Sequence, residues 1–106
     1  MTTVEVPTTI QPEAIELVKK LGVERQLEAI LEQGRRTVRG LLGCYVDADT
    51  QSEMGPTVDI IARIDPAFEG DPSHAAWWNW RIDQYGPETA ASFVVVFDSH
   101  GYYDAR

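Results

Sequence analysis

The chain has 106 residues, 43% of them apolar, a formal net charge of −8 and one cysteine. That length holds one hydrophobic core, so residues 1–106 are expected as a single domain that folds without a covalent or metal staple. Cys44 alone excludes an internal disulfide framework and a four-thiolate zinc site. The acidity disfavours nucleic acid, whose phosphates would be repelled.

The charge is uneven. Residues 1–46 carry six basic and six acidic groups, whereas residues 47–106 carry three basic groups against eleven acids. The C-terminal part therefore holds the whole excess, either as a solvating surface or as a face for a basic partner. No apolar run is long enough to span a bilayer, and no basic segment followed by an apolar stretch opens the chain. The expected setting is the cytoplasm, with no membrane partner.

In chain order, residues 1–10 alternate β-branched and polar types around Pro7, which predicts an extended arm or an edge strand. A helix follows over 11–22, with Gln11 as cap, Pro12 at its first position, and Ile10 placed to staple against Ile15. Gly22 suits its left-handed end, and Lys19 and Lys20 suit its C-terminal dipole. Val23, Leu27, Ile30 and Leu31 form the apolar stripe of a second helix, expected to stop at Gly34. Its acidic row Glu24, Glu28 and Glu32 reads as a solvated face that Arg35 and Arg36 partly offset.

The period then changes from helical to alternating. Residues 37–47 predict a strand with Val38, Leu42, Cys44 and Val46 on one side, and Leu41 and Tyr45 on the other. Gly40 and Gly43 within it point to a bulge or a close backbone approach. A polar loop leads to a second strand over 57–64, with Val58, Ile60, Ala62 and Ile64 inward, completing a β-hairpin. Asp71 and Pro72 then open a helix that Gly86-Pro87 stops, expected as a right-handed crossover or return. Phe93–Phe97, five consecutive large apolar residues, predict a final strand buried on both faces. Residues 99–106 read as a tail. The fold class is α+β in the order ααββαβ, with a mixed sheet of three strands, or four if residues 1–10 pair, packed with helices.

No motif names a reaction. Asp47, Asp49, Gln51 and Glu53 imitate the opening of a calcium loop, but Ser52 stands where its glycine belongs and Val58 where its last acid belongs. Cys44 lies mid-strand among apolar neighbours and reads as a core residue rather than a nucleophile. Arg35, Arg36 and Arg39 form the one arginine cluster; it suits an anion or, more simply, the glutamate row beside it. His74, Asp98 and His100 are the candidates for a weak ligand or metal site, provided three segments converge. No cofactor is expected.

The three tryptophans of "WWNW", residues 77–80, carry the sharpest expectation. On a helical wheel Ala75, Trp78, Ile82 and Tyr85 fall within about 80°, the width of a core stripe. Trp77, Trp80, Arg81 and Gln84 then form an outward face, which needs a cover: the N-terminal helices, another subunit, or a stacked ligand. Size, acidity and aromatic face are those of a non-enzymatic interaction module, a homodimer or a bacterial antitoxin- or adaptor-like binder of a basic protein. The alternative is a small enzyme or ligand-binding domain with a pocket near Asp98, His100 and the tryptophan helix.

Overall fold

The computed structural model describes residues 6–53 and 55–101. Thr8–Ile10 (β1) does pair into the sheet as an edge strand, and residues 1–5 of the expected arm lie outside the described residues. Two helices follow, Pro12–Leu21 (α1) and Glu24–Thr37 (α2), then the hairpin Leu41–Asp49 (β2) and Thr57–Ile64 (β3). A short 3-10 turn, Pro66–Phe68, leads to Pro72–Ala90 (α3) and the last strand, Phe93–Asp98 (β4). The four strands lie in chain order, with the outer pairs parallel and the central pair antiparallel. The α+β class with a four-stranded mixed sheet is as the sequence reads.

Most of the expected helix signals act where they stand, although Gln11 makes no side-chain cap bond. Gln11 and Pro12 open α1, and Gly22 ends it at φ 70°. Asp71 caps α3 by accepting from the Ser73 amide, with Pro72 in the first position. Gly86, at φ 78° and ψ 165°, breaks α3 before one last helical turn. Val58, Ile60, Ala62 and Ile64 are buried, and Val46, Cys44 and Phe93 join them on the same face by register. That face and the buried stripes of α1, α2 and α3 form one core.

All three helices therefore cover one side of the sheet. Both crossovers step the same way across it while their strands run in opposite directions. They are consequently of opposite hand, so one of the two departs from the usual right-handed rule.

Three expectations change. The second helix does not stop at Gly34 but runs to Thr37, because Gly34 is a contact point rather than a terminator. A Cβ there would lie 2.6 Å from the Trp77 ring. Leu42 is not a core residue: the register shifts between Leu41 and Gly43, turning Leu42 out at 48% exposure while Leu41 packs on the core. The anticipated glycine irregularity is real, and the side-chain alternation reverses across it. Finally, β4 is not buried on both sides. It is an edge strand, with Val94 to Phe97 only half-buried.

Candidate functional site

The tryptophan helix is turned by about a quarter of a revolution from the orientation its apolar stripe predicts. Before the break at Gly86 its buried residues are His74, Trp77 and Arg81, at helical spacings of three and four. Trp77 is 2% exposed; its ring lies over Gly34, and its Nε1–H donates to the Ile30 carbonyl at 2.9 Å. Arg81 is 5% exposed. Its guanidinium lies 3.6 Å from the centre of the Trp78 ring, and it donates to the carbonyls of Phe93 and Trp78, both at 3.3 Å. Burial pushes its proton affinity down, yet π density and two carbonyl dipoles replace a counter-ion.

The expected outward face is thus not a surface. Trp77 and Arg81 are internal, Trp80 is half-buried against the core and edge-on to Tyr85 at 6.0 Å, and Gln84 alone is exposed. The cover comes from α2 of the same chain. Periodicity alone missed this because it counts His74 and Arg81 as outward, whereas each finds backbone carbonyl partners inside. Conversely, the stripe assigned to the core stands open: Ala75 is exposed, Ile82 is 36% exposed, and Trp78 and Tyr85 are half-buried.

That open stripe borders a cleft of about 510 Å³, between the first turns of α3 and the C-terminal ends of β3 and β4. Ile64, Ala75, Trp78 and Phe97 give it apolar walls, and Glu69, Asp71, His74 and Ser99 supply polar groups. Such a place follows from the topology. Parallel strands deliver their C-terminal ends to the side where the crossover helix begins, and the departing chains leave a crevice there.

His74 is the organising group. It is 6% exposed and stacks on Phe97, ring centres 4.9 Å apart and planes 14° off parallel. Its Nε2 lies 3.1 Å from the Arg39 carbonyl. A carbonyl only accepts, so Nε2 carries a proton, and whenever the ring holds that proton alone Nδ1 is an acceptor. Among the described residues Nδ1 has no hydrogen-bond partner. Those residues contain no sealed side-chain nitrogen or oxygen without a partner, so Nδ1 must reach open space. The open space that His74 borders is the cleft.

The acids at the rim are held in place. Hydrogen bonds from Ser73 keep the Asp71 carboxyl below the ordinary range, with Arg39, at 3.6 Å, assisting. Arg39 also lies over the Phe68 ring at 5.3 Å. The arginine cluster is thereby divided: Arg39 serves the α3 cap, and Arg35 reaches Glu32 at 3.4 Å and the Thr8 hydroxyl at 2.8 Å.

Of the three candidate ligand residues, the structure brings two to this region and turns the third away. His74 lines the cleft, and His100 Nε2 stands 3.5 Å from Oε1 of Glu69, which lines it too. Asp98 sits opposite Arg63 in the register, on the sheet face away from the helices, and accepts from the His100 amide at 3.1 Å. Strand alternation decides this, since Phe97 and Asp98 must point to opposite faces. The described residues hold no group of three or more potential ligands that could hold a metal ion. Cys44 lies in the core, where burial pushes its thiol up to about 11.

Trp78, Phe97, Glu69 and Asp71 were not legible as site residues. The signal for Trp78 lay in the apolar stripe of α3, which reads as core and is left partly open instead. No helix among the described residues is long and apolar enough to cross a membrane. Comparison with protein-family models, curated proteins and solved structures gives no match.

Proposed function

We propose that this protein is a small-molecule binding domain whose cleft takes a flat, uncharged or cationic ligand bearing an N–H or O–H donor. The observation that carries the reading is His74, buried, held at Nε2 by the Arg39 carbonyl, and lining the cleft beside the aromatic walls of Trp78 and Phe97 with no Nδ1 partner among the described residues. An apolar crevice with a few fixed polar groups, within the roughly 300–1,000 Å³ range of ligand sites, is the usual form of such a site. The rim carboxylates Glu69 and Asp71 and the net charge of −8 select against anions. Flatness follows from the walls, because stacking on rings rewards planar partners.

Indole and N-methylindole test this directly, since they share a shape and differ in the donor. Titrated into ¹⁵N-labelled protein, indole is expected to move amide signals at residues 69–71, 74–78, 97 and 99. N-methylindole is expected to bind about tenfold more weakly, the cost of leaving one buried acceptor unpaired. Trp78→Leu should weaken both probes. Equal affinities for the two probes, or shifts scattered away from the cleft, would overturn the reading.

A further inference from the structure

We propose that the outer edge of β4 is a self-association surface, through which two copies of this chain join their sheets in antiparallel register about Val96. The Ser92 carbonyl accepts from the Val58 amide, which fixes the direction of every backbone group along the strand. Val94 and Val96 then bond to β3, and Phe93, Val95 and Phe97 turn their N–H and C=O groups outward. Of these outward groups the Phe93 carbonyl is taken, by Arg81. Phe93 is also fully buried, whereas the outward groups of Val95 and Phe97 have no partner among the described residues.

Sheets normally protect such an edge with lysine, proline, a bulge or an inward charge. Residues 92–97 contain none of the first two and no charge at all, and the β3–β4 register runs without a shift. Four successive side chains of the strand, Val94 to Phe97, stay half-buried, as if one neighbour were missing.

The occupant is a second copy because of charge and symmetry. A chain carrying −8 repels itself over most of its surface, and β4 is a stretch where two copies meet without placing acid against acid. The opposite edge, β1, has three residues and is too short to compete. A twofold axis at Val96 sets each Val95 opposite the other copy's Phe97, so that the N–H and C=O groups of the two pair, and leaves the buried Phe93 out of the new ladder. Both sheets then continue as one.

Light scattering over a concentration series is the test. The wild type is expected at twice the 11.9 kDa chain mass, and the dimer should strengthen as salt screens the like charges. Val95→Pro deletes an outward N–H and no bond to β3, so it is expected to stay folded by circular dichroism and to scatter as a monomer. Hydrogen exchange needs no variant: the Val95 and Phe97 amides should be protected, and their protection should fall on dilution. A wild type that is monomeric at several hundred micromolar would overturn the proposal. So would rapid exchange at Val95 and Phe97 in a dimer, which would place the interface elsewhere.

Discussion

Gly34→Ala isolates the contact on which the orientation of α3 rests. In an exposed helix the change stabilises by about 1 kcal/mol, because alanine loses less backbone freedom than glycine. Here the new Cβ would stand 2.6 Å from Trp77 Cζ2 and 2.7 Å from Cε2. Ordinary carbon contacts lie near 3.5–4.0 Å, so the ring must retreat by about 1 Å. Trp77 is 2% exposed and its Nε1–H is held by the Ile30 carbonyl at 2.9 Å, so it has no free direction. Overpacking of this kind costs about 1–3 kcal/mol, and stretching the buried hydrogen bond costs about 1 kcal/mol more. Set against the helix gain, the net loss is about 1–3 kcal/mol, a fall in Tm of roughly 5–15 °C for a domain of this size. Urea melts followed by circular dichroism measure it. In a Trp77→Leu background the ring is gone, so Gly34→Ala should return to stabilising, a sign reversal that a double-mutant cycle reads as coupling. If Gly34→Ala stabilises the wild type by the ordinary helix increment, Trp77 does not sit on α2 and the arrangement of the core is wrong.

Gly40 combines a left-handed φ of 78° with a Cβ position 2.6 Å from Phe68, so Gly40→Ala should cost about 2–4 kcal/mol in a thermal melt. Asp71→Ala removes the α3 cap and should cost about 1 kcal/mol at neutral pH. The Asp71 carboxyl is held below its unfolded value of 3.8, so its contribution is present above that pH and is lost as pH falls through the lower folded value. The melting points of wild type and Asp71→Ala should therefore converge in strong acid. Cys44 titrates at the other extreme: its thiol is raised from 9.0 to about 11. The native state prefers the protonated form, so stability is intact below pH 9 and falls by about 2–3 kcal/mol as pH climbs through 11. Cys44→Ala should lose that alkaline slope, and an unchanged slope would mean that other groups carry it.

The parts of the fold legible in the sequence are those set by local chemistry. Asp71-Pro72, Gln11-Pro12, Gly22 and Gly86 mark helix ends because caps, ring closure and positive φ act within a few residues. The alternation over 57–64 gives both the limits and the inward face of β3, because one side of that strand meets the core. Legibility fails where a distant partner decides. Gly34 looks like a terminator until Trp77, far along the chain, is seen to occupy the space of its absent side chain. The run Phe93–Phe97 looks like a central strand because composition does not reveal whether a neighbour lies on one side or two. Leu42 is displaced by a register shift that no alternation pattern contains. Of the candidate site residues, His74 and His100 do come to the cleft region, while strand parity sends Asp98 to the far face.

The rotated orientation of α3 and the existence of the cleft have a single cause. A helix with one apolar stripe normally spends it on the core. In α3 the core instead receives His74, Trp77 and Arg81, each of which carries a polar group bonded to a backbone carbonyl: that of Arg39, that of Ile30, and those of Phe93 and Trp78. Ala75 and Trp78 are released to line a crevice, and Ile82 remains partly in water. Had α3 turned the expected way, Trp78 would be packed, His74 would be a solvated first-turn histidine, and the ends of β3 and β4 would meet a polar helix face. The burial of polar groups with carbonyl partners is thus what leaves aromatic surface exposed around a fixed acceptor. A substitution that makes the buried side apolar bears on this: Arg81→Leu removes the guanidinium stacked on Trp78 at 3.6 Å. Stability should change little, because a desolvated charge and its carbonyl bonds are replaced by apolar packing. The Trp78 ring, however, loses the cation that fixes it, and indole affinity should fall severalfold. If indole affinity holds while stability drops by more than about 3 kcal/mol, Arg81 is a structural strut and does not set the wall of the cleft.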